Sequence, residues 1–233
     1  MSNGFNSIKK ECGKKGISRL CHFTSSRNLG FILKGEKGIL ATRHLEEDER
    51  ALFIPTDLKR LDGHKNHICC SIEYPNPWFF SSARSKEALF KDWVVLLIKP
   101  DYLWEEKTLF CPCNAAASYG NRIKSGITGF LDLFQAEVSG SQGKRYTRTS
   151  THLLCCPTDN QAEVLVLDCI QLSDIFGVIV RDRTQAKNEI LRLKMSNIDQ
   201  IPDIFVSLKM FDKYGLSEAI SSGVKPTEKI FRR

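Results

Sequence analysis

Gln161 and Glu163 stand two residues apart at the start of an aliphatic run, within Asp159-Asn160-Gln161-Ala162-Glu163-Val164-Leu165-Val166. Successive side chains of a strand point to opposite faces, so Gln161 and Glu163 share one face while Ala162 and Val164 share the other. A carboxylate and an amide are thereby placed at the mouth of a strand whose next residues are apolar. Carboxylates are rarely buried unless paired or functional. On spacing alone two readings stand: an edge strand with Glu163 in solvent, which is the carboxylate default, or a carboxylate held for chemistry.

A second polar group lies near the N-terminus. In Ile17 to Thr24 the alternation sends Cys21 and Phe23 one way and His22 and Thr24 the other. Ser25-Ser26-Arg27-Asn28 then offers N-cap oxygens, and Leu29, Ile32 and Leu33 follow at helical spacing. A strand feeding a helix would bring His22, Thr24 and Asn28 together. The helix N-terminus has unpaired N–H groups and a positive dipole end, which suit a phosphate or polar ligand. The plainer reading is that His22 and Thr24 only bond the local backbone.

The elements that must hold these groups follow in order. Residues 1–17 read as a loose arm or short helix, and 58–63 as a short helix closed by a turn. His67 to Ile72 is a strand, stopped by Pro75 and Pro77 amid the aromatics Tyr74, Trp78, Phe79 and Phe80. Asp92 to Ile98 is apolar throughout and predicts a central strand covered on both faces. Thr108 to Cys111 is a further strand, Asn114 caps a helix start, and Thr128 to Phe134 is helical. Residues 139–151 are rich in Gly, Ser and basic side chains and predict a mobile loop just before the Glu163 strand. Gly177 to Val180 is the last strand, with amphipathic helices over 185–193 and 201–220 and a loose basic tail from Gly223.

Composition bounds the classes. The 233 residues fit one domain, and 42% hydrophobic residues can build a sizeable core. No run of roughly 18 apolar residues exists, which predicts no membrane span, and no apolar h-region follows the N-terminal lysines, which predicts no secretory signal. The nine cysteines form no CxxC pair and sit in apolar stretches, so buried thiols in a reducing cytosol are expected and a metal is not. The net charge of +7 favours a polyanionic partner.

The order His22-Phe23-Thr24, Asn28-Leu29, a Ser71 strand ending in an aromatic, and Gln161-Ala162-Glu163-Val164-Leu165-Val166 resembles an ADP-ribosyltransferase core. It is most similar to the DarT family of bacterial toxins, which ADP-ribosylate bases of single-stranded DNA. The resemblance runs over residues 17–183 and implies an α+β fold, a split β-sandwich with surrounding helices and an NAD cleft. A single domain over 1–233 is expected, with a helical extension over 184–233. By the resemblance, His22, Thr24, Asn28, Ser71 and Tyr74 would hold NAD as co-substrate, with Tyr74 stacking on the nicotinamide. Glu163 would be the catalytic carboxylate and Arg60 the assisting basic residue, with Lys59 and Lys65 competing for that role. Lys144, Arg145, Tyr146 and Arg148 would lie in the substrate-recognising loop. Arg-Leu-Asp-Gly (60–63), Ser-Ile-Glu-Tyr-Pro-Asn (71–76) and Asn-Ala-Ala (114–116) look more like the guanine-modifying branch than the thymidine-modifying one.

The implied partners are single-stranded DNA and a cognate antitoxin of macrodomain or NADAR type, in a bacterial cytoplasm, within a toxin–antitoxin or phage-defence system. Displacing nicotinamide passes through an oxocarbenium-like centre, as in glycoside hydrolysis, and a carboxylate beside the ribose stabilises it. That role asks Glu163 to stay ionised in a partly wet cleft. A protein- or RNA-modifying ADP-ribosyltransferase and a non-enzymatic nucleic-acid binder are the competing readings, with a metal-dependent enzyme a weaker third.

Overall fold

The computed structural model describes residues 3–34, 37–45, 60–140 and 143–232. In chain order these form α1 (Asn3–Lys15), β1 (Leu20–Ser25), α2 (Ser26–Lys34), β2 (Ile39–Leu40), β3 (His67–Ile72), α3 (Pro77–Lys86) and β4 (Trp93–Ile98). Next come β5 (Leu109–Cys111), β6 (Lys124–Ser125), α4 (Gly126–Asp132), β7 (Glu137–Ser139), β8 (Arg145–Thr147) and β9 (Glu163–Leu167). The chain continues through β10 (Cys169–Ile170), β11 (Ile175–Val180), α5 (Arg183–Met195), β12 (Asp203–Val206), α6 (Lys213–Ser221) and β13 (Lys229–Ile230).

Nine strands share one sheet in the order β13-β12-β11-β4-β1-β3-β9-β5-β6. The uniformly apolar β4 is buried over its whole length because β1 and β11 flank it and helices cover it. Each such Val or Leu contributes roughly 1.5–3 kcal/mol by leaving water. In α2 the expected stripe of Leu29, Ile32 and Leu33 is the buried face.

One departure from regular pairing positions everything functional. β1 pairs with β4 from Leu20↔Ile98 to Ser25↔Trp93, but with β3 only at Leu20↔Ile72 and Cys21↔Ser71. β3 pairs instead with β9, from His67↔Leu167 to Cys70↔Val164. The sheet therefore opens between β1 and β3 from His22 onward, giving the split of the expected α+β architecture.

Several local expectations change. Of the two readings of residues 1–17, the helix is the one that holds, as α1, anchored by buried Ile8 and Cys12; the changes lie elsewhere. The segment expected to be a mobile loop over 139–151 contains half of a hairpin, β7 pairing with β8 from Glu137↔Thr147 to Ser139↔Arg145. β11 is not the last strand: β12 lies parallel to it and β13 closes the edge. Residues 201–220, read as one amphipathic helix, divide into β12, a 3-10 turn and α6, because Ile204 and Phe205 extend the sheet. The tail is not loose. Arg19 donates to both carboxylate oxygens of Glu228, at 2.7 and 2.5 Å, and the Phe231 N–H donates to the Ile204 carbonyl. Leu58 and Lys59 lie outside the described residues, and from Arg60 the chain is a turn, not a helix.

Candidate active site

Glu163 opens β9, an interior strand between β3 and β5, and Cys111 of β5 pairs with it directly. This removes the edge-strand reading, and the carboxylate is 7% exposed. Continuing the β3–β9 register one step beyond Cys70↔Val164 sets Ser71 across from Glu163. The Asn114 side-chain amide donates to Glu163 Oε1 at 3.0 Å. Burial pushes the Glu163 carboxyl up to about 8, with Asp62 adding to the rise, while the Ala115 N–H, the Cys69 thiol and Arg60 oppose it. The carboxyl is thus largely protonated at neutral pH without a ligand, a correction to the expectation of an ionised group in a wet cleft. Burial outweighs the neighbouring donors and the single cation.

His22 stands where β1 leaves β3. Its Nδ1 lies 2.9 Å from the Cys69 carbonyl oxygen. A carbonyl only accepts, so Nδ1 carries the proton and Nε2 is left as an acceptor. Burial first, and Arg60 after it, hold the His22 pKa below its ordinary value and keep the ring neutral. Two residues on, Thr24 accepts from the Asn28 side-chain amide at 2.9 Å, which fixes β1 to the first turn of α2.

Arg60 is buried and takes a left-handed backbone with φ of 38°. Its guanidinium makes two bonds to Asp62, at 3.0 and 2.7 Å, and reaches the carbonyls of His67 and His64. The ion pair holds Asp62 below the ordinary carboxylate range despite burial. Lys65 is exposed, and Lys59 is outside the described residues, so Arg60 is the basic side chain set inside the site.

The remaining expected residues divide by position. The Ser71 hydroxyl accepts from the Asn76 N–H at 3.2 Å. Tyr74 is buried under the Arg19 guanidinium, 5.3 Å from its ring centre, and shares a small cavity with Ser71, Asp159 and Ala162. Burial raises its phenol pKa. Tyr146 of β8 accepts from the Gln161 side chain at 3.2 Å, joining the hairpin to the motif that carries Glu163. Lys144 and Arg145 are exposed on the hairpin, Arg145 against Glu137 at 3.3 Å. Arg148 donates to the carbonyls of Cys156 and Leu153, both at 2.8 Å, so its charge closes the loop over 148–156.

Three contributors escape pattern reading. Asn114, expected to cap a helix, turns its amide to Glu163, and the helix starts later as a 3-10 turn at Ala117. Arg122 donates to the carbonyls of Ser139 and Gly140 and lies 3.8 Å from Cys113 Sγ, tying the hairpin to the Asn114 segment. Asp159 accepts from the Gln161 N–H at 2.9 Å, and burial raises its carboxyl to about 6. Asn114 and Arg122 depend on contacts between separated segments, whereas the Asp159 bond is local and only its burial comes from the fold; of the three, only the Asn-Ala-Ala triplet gave any signal.

A sheet opened between β1 and β3 beside His22, with buried Glu163 on the next strand, β9, is the split α+β arrangement expected of an ADP-ribosyltransferase-like fold. The family model for "ssDNA thymidine ADP-ribosyltransferase, DarT" matches residues 21–212, and the chain belongs to the DarT family. None of the curated proteins matches. Among solved structures, the chain is similar to Thermus sp. 2.9 DarT in complex with ADP-ribosylated ssDNA, at 12% identity and a TM-score of 0.58, over 84% of this chain and 97% of that one. The same DarT in complex with NAD+ gives 13% identity and a TM-score of 0.56, over 83% and 97%. Thermosipho africanus DarTG in complex with ADP-ribose gives 18% identity and a TM-score of 0.53, over 83% of this chain and 51% of that one. This chain therefore spans about half the length of that DarTG chain.

Proposed function

We propose that this chain is an NAD-dependent mono-ADP-ribosyltransferase that attaches ADP-ribose to a base of single-stranded DNA, with guanine favoured over thymine. The observation that carries the reading is the placement of Glu163. It is a buried carboxylate, hydrogen-bonded by Asn114 and by the Cys69 thiol, while the Cys69 carbonyl meets His22 Nδ1, so one residue of β3 touches both groups. Bound NAD would supply a sugar whose bond to nicotinamide breaks with cationic character. Of the residues present, His22 fits such a ligand. His22 Nε2 can accept from a ribose hydroxyl, whereas the start of α2 is engaged within the fold, the Ser26 N–H by the Asp92 carbonyl and its hydroxyl by the buried Glu189 carboxylate. Ser71 and Tyr74 line a separate small cavity with Asp159 and Ala162, and the buried Tyr74 ring lies under Arg19 and is not open to stack on a nicotinamide.

Each side chain then has a task. Glu163 in its ionised form orients the ribose and opposes the developing positive charge, and it can take the proton released by the attacking base. Asn114, the Ala115 N–H and the Cys69 thiol fix the orientation of the carboxyl. Arg60, immobilised by Asp62, acts as a positioning residue whose charge bears on both Glu163 and His22. The hairpin carrying exposed Lys144 and Arg145, with Tyr146, would meet the nucleic acid, and Arg148 would shape its base. An unstacked base is needed in the pocket, which favours single strands.

Guanine is favoured because Arg60 with Asp62, the Ser71–Asn76 turn and Asn114 are the segments by which the sequence departs from the thymidine-modifying pattern. Thymine is the second reading, and the family model's own description favours it. A toxin role, opposed by an ADP-ribose hydrolase of macrodomain or NADAR type, follows from the family reading. The test is transfer of labelled ADP-ribose from NAD to a panel of single-stranded DNA and RNA oligonucleotides, each lacking one base. Loss of label only where guanine is missing is the expected result. Loss only without thymine would overturn the base assignment, and label on protein but on no oligonucleotide would overturn the nucleic-acid reading.

A further inference from the structure

Helix α6 begins at Lys213, one residue past the region matched by the family model, so the family reading gives it no task. Its first turn displays Tyr214, a large aromatic left 66% exposed. The Tyr214 ring meets Trp78 of α3 edge-on, with centroids 5.6 Å apart and planes at 88°. The Lys213 ammonium lies 5.4 Å from the Trp78 ring centre and 4.7 Å from that of Tyr214. Buried aromatic clusters usually serve a core, but this one faces water and carries a cation.

Two tethers bring the pair to the candidate active site. Ser217, one helical turn after Tyr214 and on the same side of α6, accepts from the Asn160 side chain at 2.9 Å. Asn160 is three residues from Glu163, a chain span of at most about 11 Å. On the other side, Trp78 sits in the first turn of α3, where Asn76 caps its N–H at 3.1 Å. The N–H of Asn76 in turn donates to Ser71, the residue set across from Glu163. One arm of the pair is thus tied to β3 and the other to the turn that leads into β9.

We propose that Tyr214, with Trp78 and Lys213, is a stacking platform for a nucleobase adjacent to the one modified, the lysine meeting the intervening phosphate. The proposal rests on the single-stranded DNA reading above. Every base has a π-face, so an exposed ring beside a cation binds single strands with little sequence demand. The overall charge of +7 complements the phosphodiester chain.

The test combines oligonucleotide binding without NAD, read by fluorescence anisotropy on a labelled single-stranded decamer, with steady-state transfer. Tyr214→Ala should weaken binding and raise the oligonucleotide KM by about tenfold, the lower range for one stacked base, while the KM for NAD stays unchanged. Tyr214→Phe keeps the ring and should retain near-native values. Unchanged binding in Tyr214→Ala, or Tyr214→Phe as weak as Tyr214→Ala, would overturn the platform. Wild-type protein that binds the decamer through Tyr214 yet transfers nothing would support the platform and sink the enzymatic reading. Normal transfer with no dependence on Tyr214 would do the reverse.

Discussion

The Asn114 amide donates to the Glu163 carboxyl at 3.0 Å, joining the turn after β5 to the first residue of β9. The bond favours the ionised carboxyl, yet burial still carries the group to about 8. The working form would therefore be a minority below that pH. The rate of NAD consumption should rise about tenfold per pH unit through the neutral range and level off above pH 8. Asn114→Leu removes one donor and should move the midpoint higher. A flat profile from pH 6 to 9 would contradict this account.

The same burial has a stability consequence. The Glu163 pKa rises from 4.5 in the unfolded chain to about 8 in the fold, so between those values the folded protein holds the extra proton. Its contribution to stability is fully present below pH 4.5 and is lost as pH rises through 8. Glu163→Gln cannot lose that proton. Urea unfolding should show the variant gaining on wild type by a few kcal/mol, to order of magnitude, between pH 6 and 9. A constant difference over that range would show that the carboxyl titrates normally.

Asp62 neutralises a buried guanidinium in the same neighbourhood. Asp62→Ala leaves Arg60 uncompensated and should cost about 3–5 kcal/mol of folding stability. Arg60→Lys cannot reproduce the two bonds to one carboxylate and should also lose stability, by a smaller amount. Thermal unfolding of both variants checks the order. Asp62→Ala as stable as wild type would mean that the pair is solvated.

Gly140 marks where the hairpin meets the Gln161 motif. A Cβ there would lie 2.3 Å from the Tyr146 ring and 3.2 Å from Asp159. Gly140→Ala should push Tyr146 off Gln161 and lower transfer to oligonucleotides at least tenfold while NAD affinity holds. Isothermal titration with NAD beside the transfer assay separates the two effects. An equal loss of both would place the hairpin against the NAD site.

Much of this arrangement was legible because it is local. The β1–α2 junction, the apolar β4 and the β3 strand with its proline stop are each written in a short window of side-chain alternation or spacing. Glu163 and His22 could be named from the family motifs, but not the gap between β1 and β3 that joins them. That opening depends on β3 turning to β9, a partner distant in sequence. For the same reason Asn114 and Arg122 went unseen in their roles. The tail looked loose because Glu228 carries no sign of its pairing with Arg19. Its polarity suits solvent equally well.

The most direct test of the central claim is to compare wild type with Glu163→Gln, a near-isosteric change, for both NAD binding and NAD turnover. Tight NAD binding by both proteins, with transfer to a guanine-containing single strand reduced by at least a thousandfold in the variant alone, is the predicted result. It would place Glu163 at the developing charge. A variant that still transfers ADP-ribose within tenfold of wild type would show that the buried carboxylate is structural and that the catalytic group lies elsewhere.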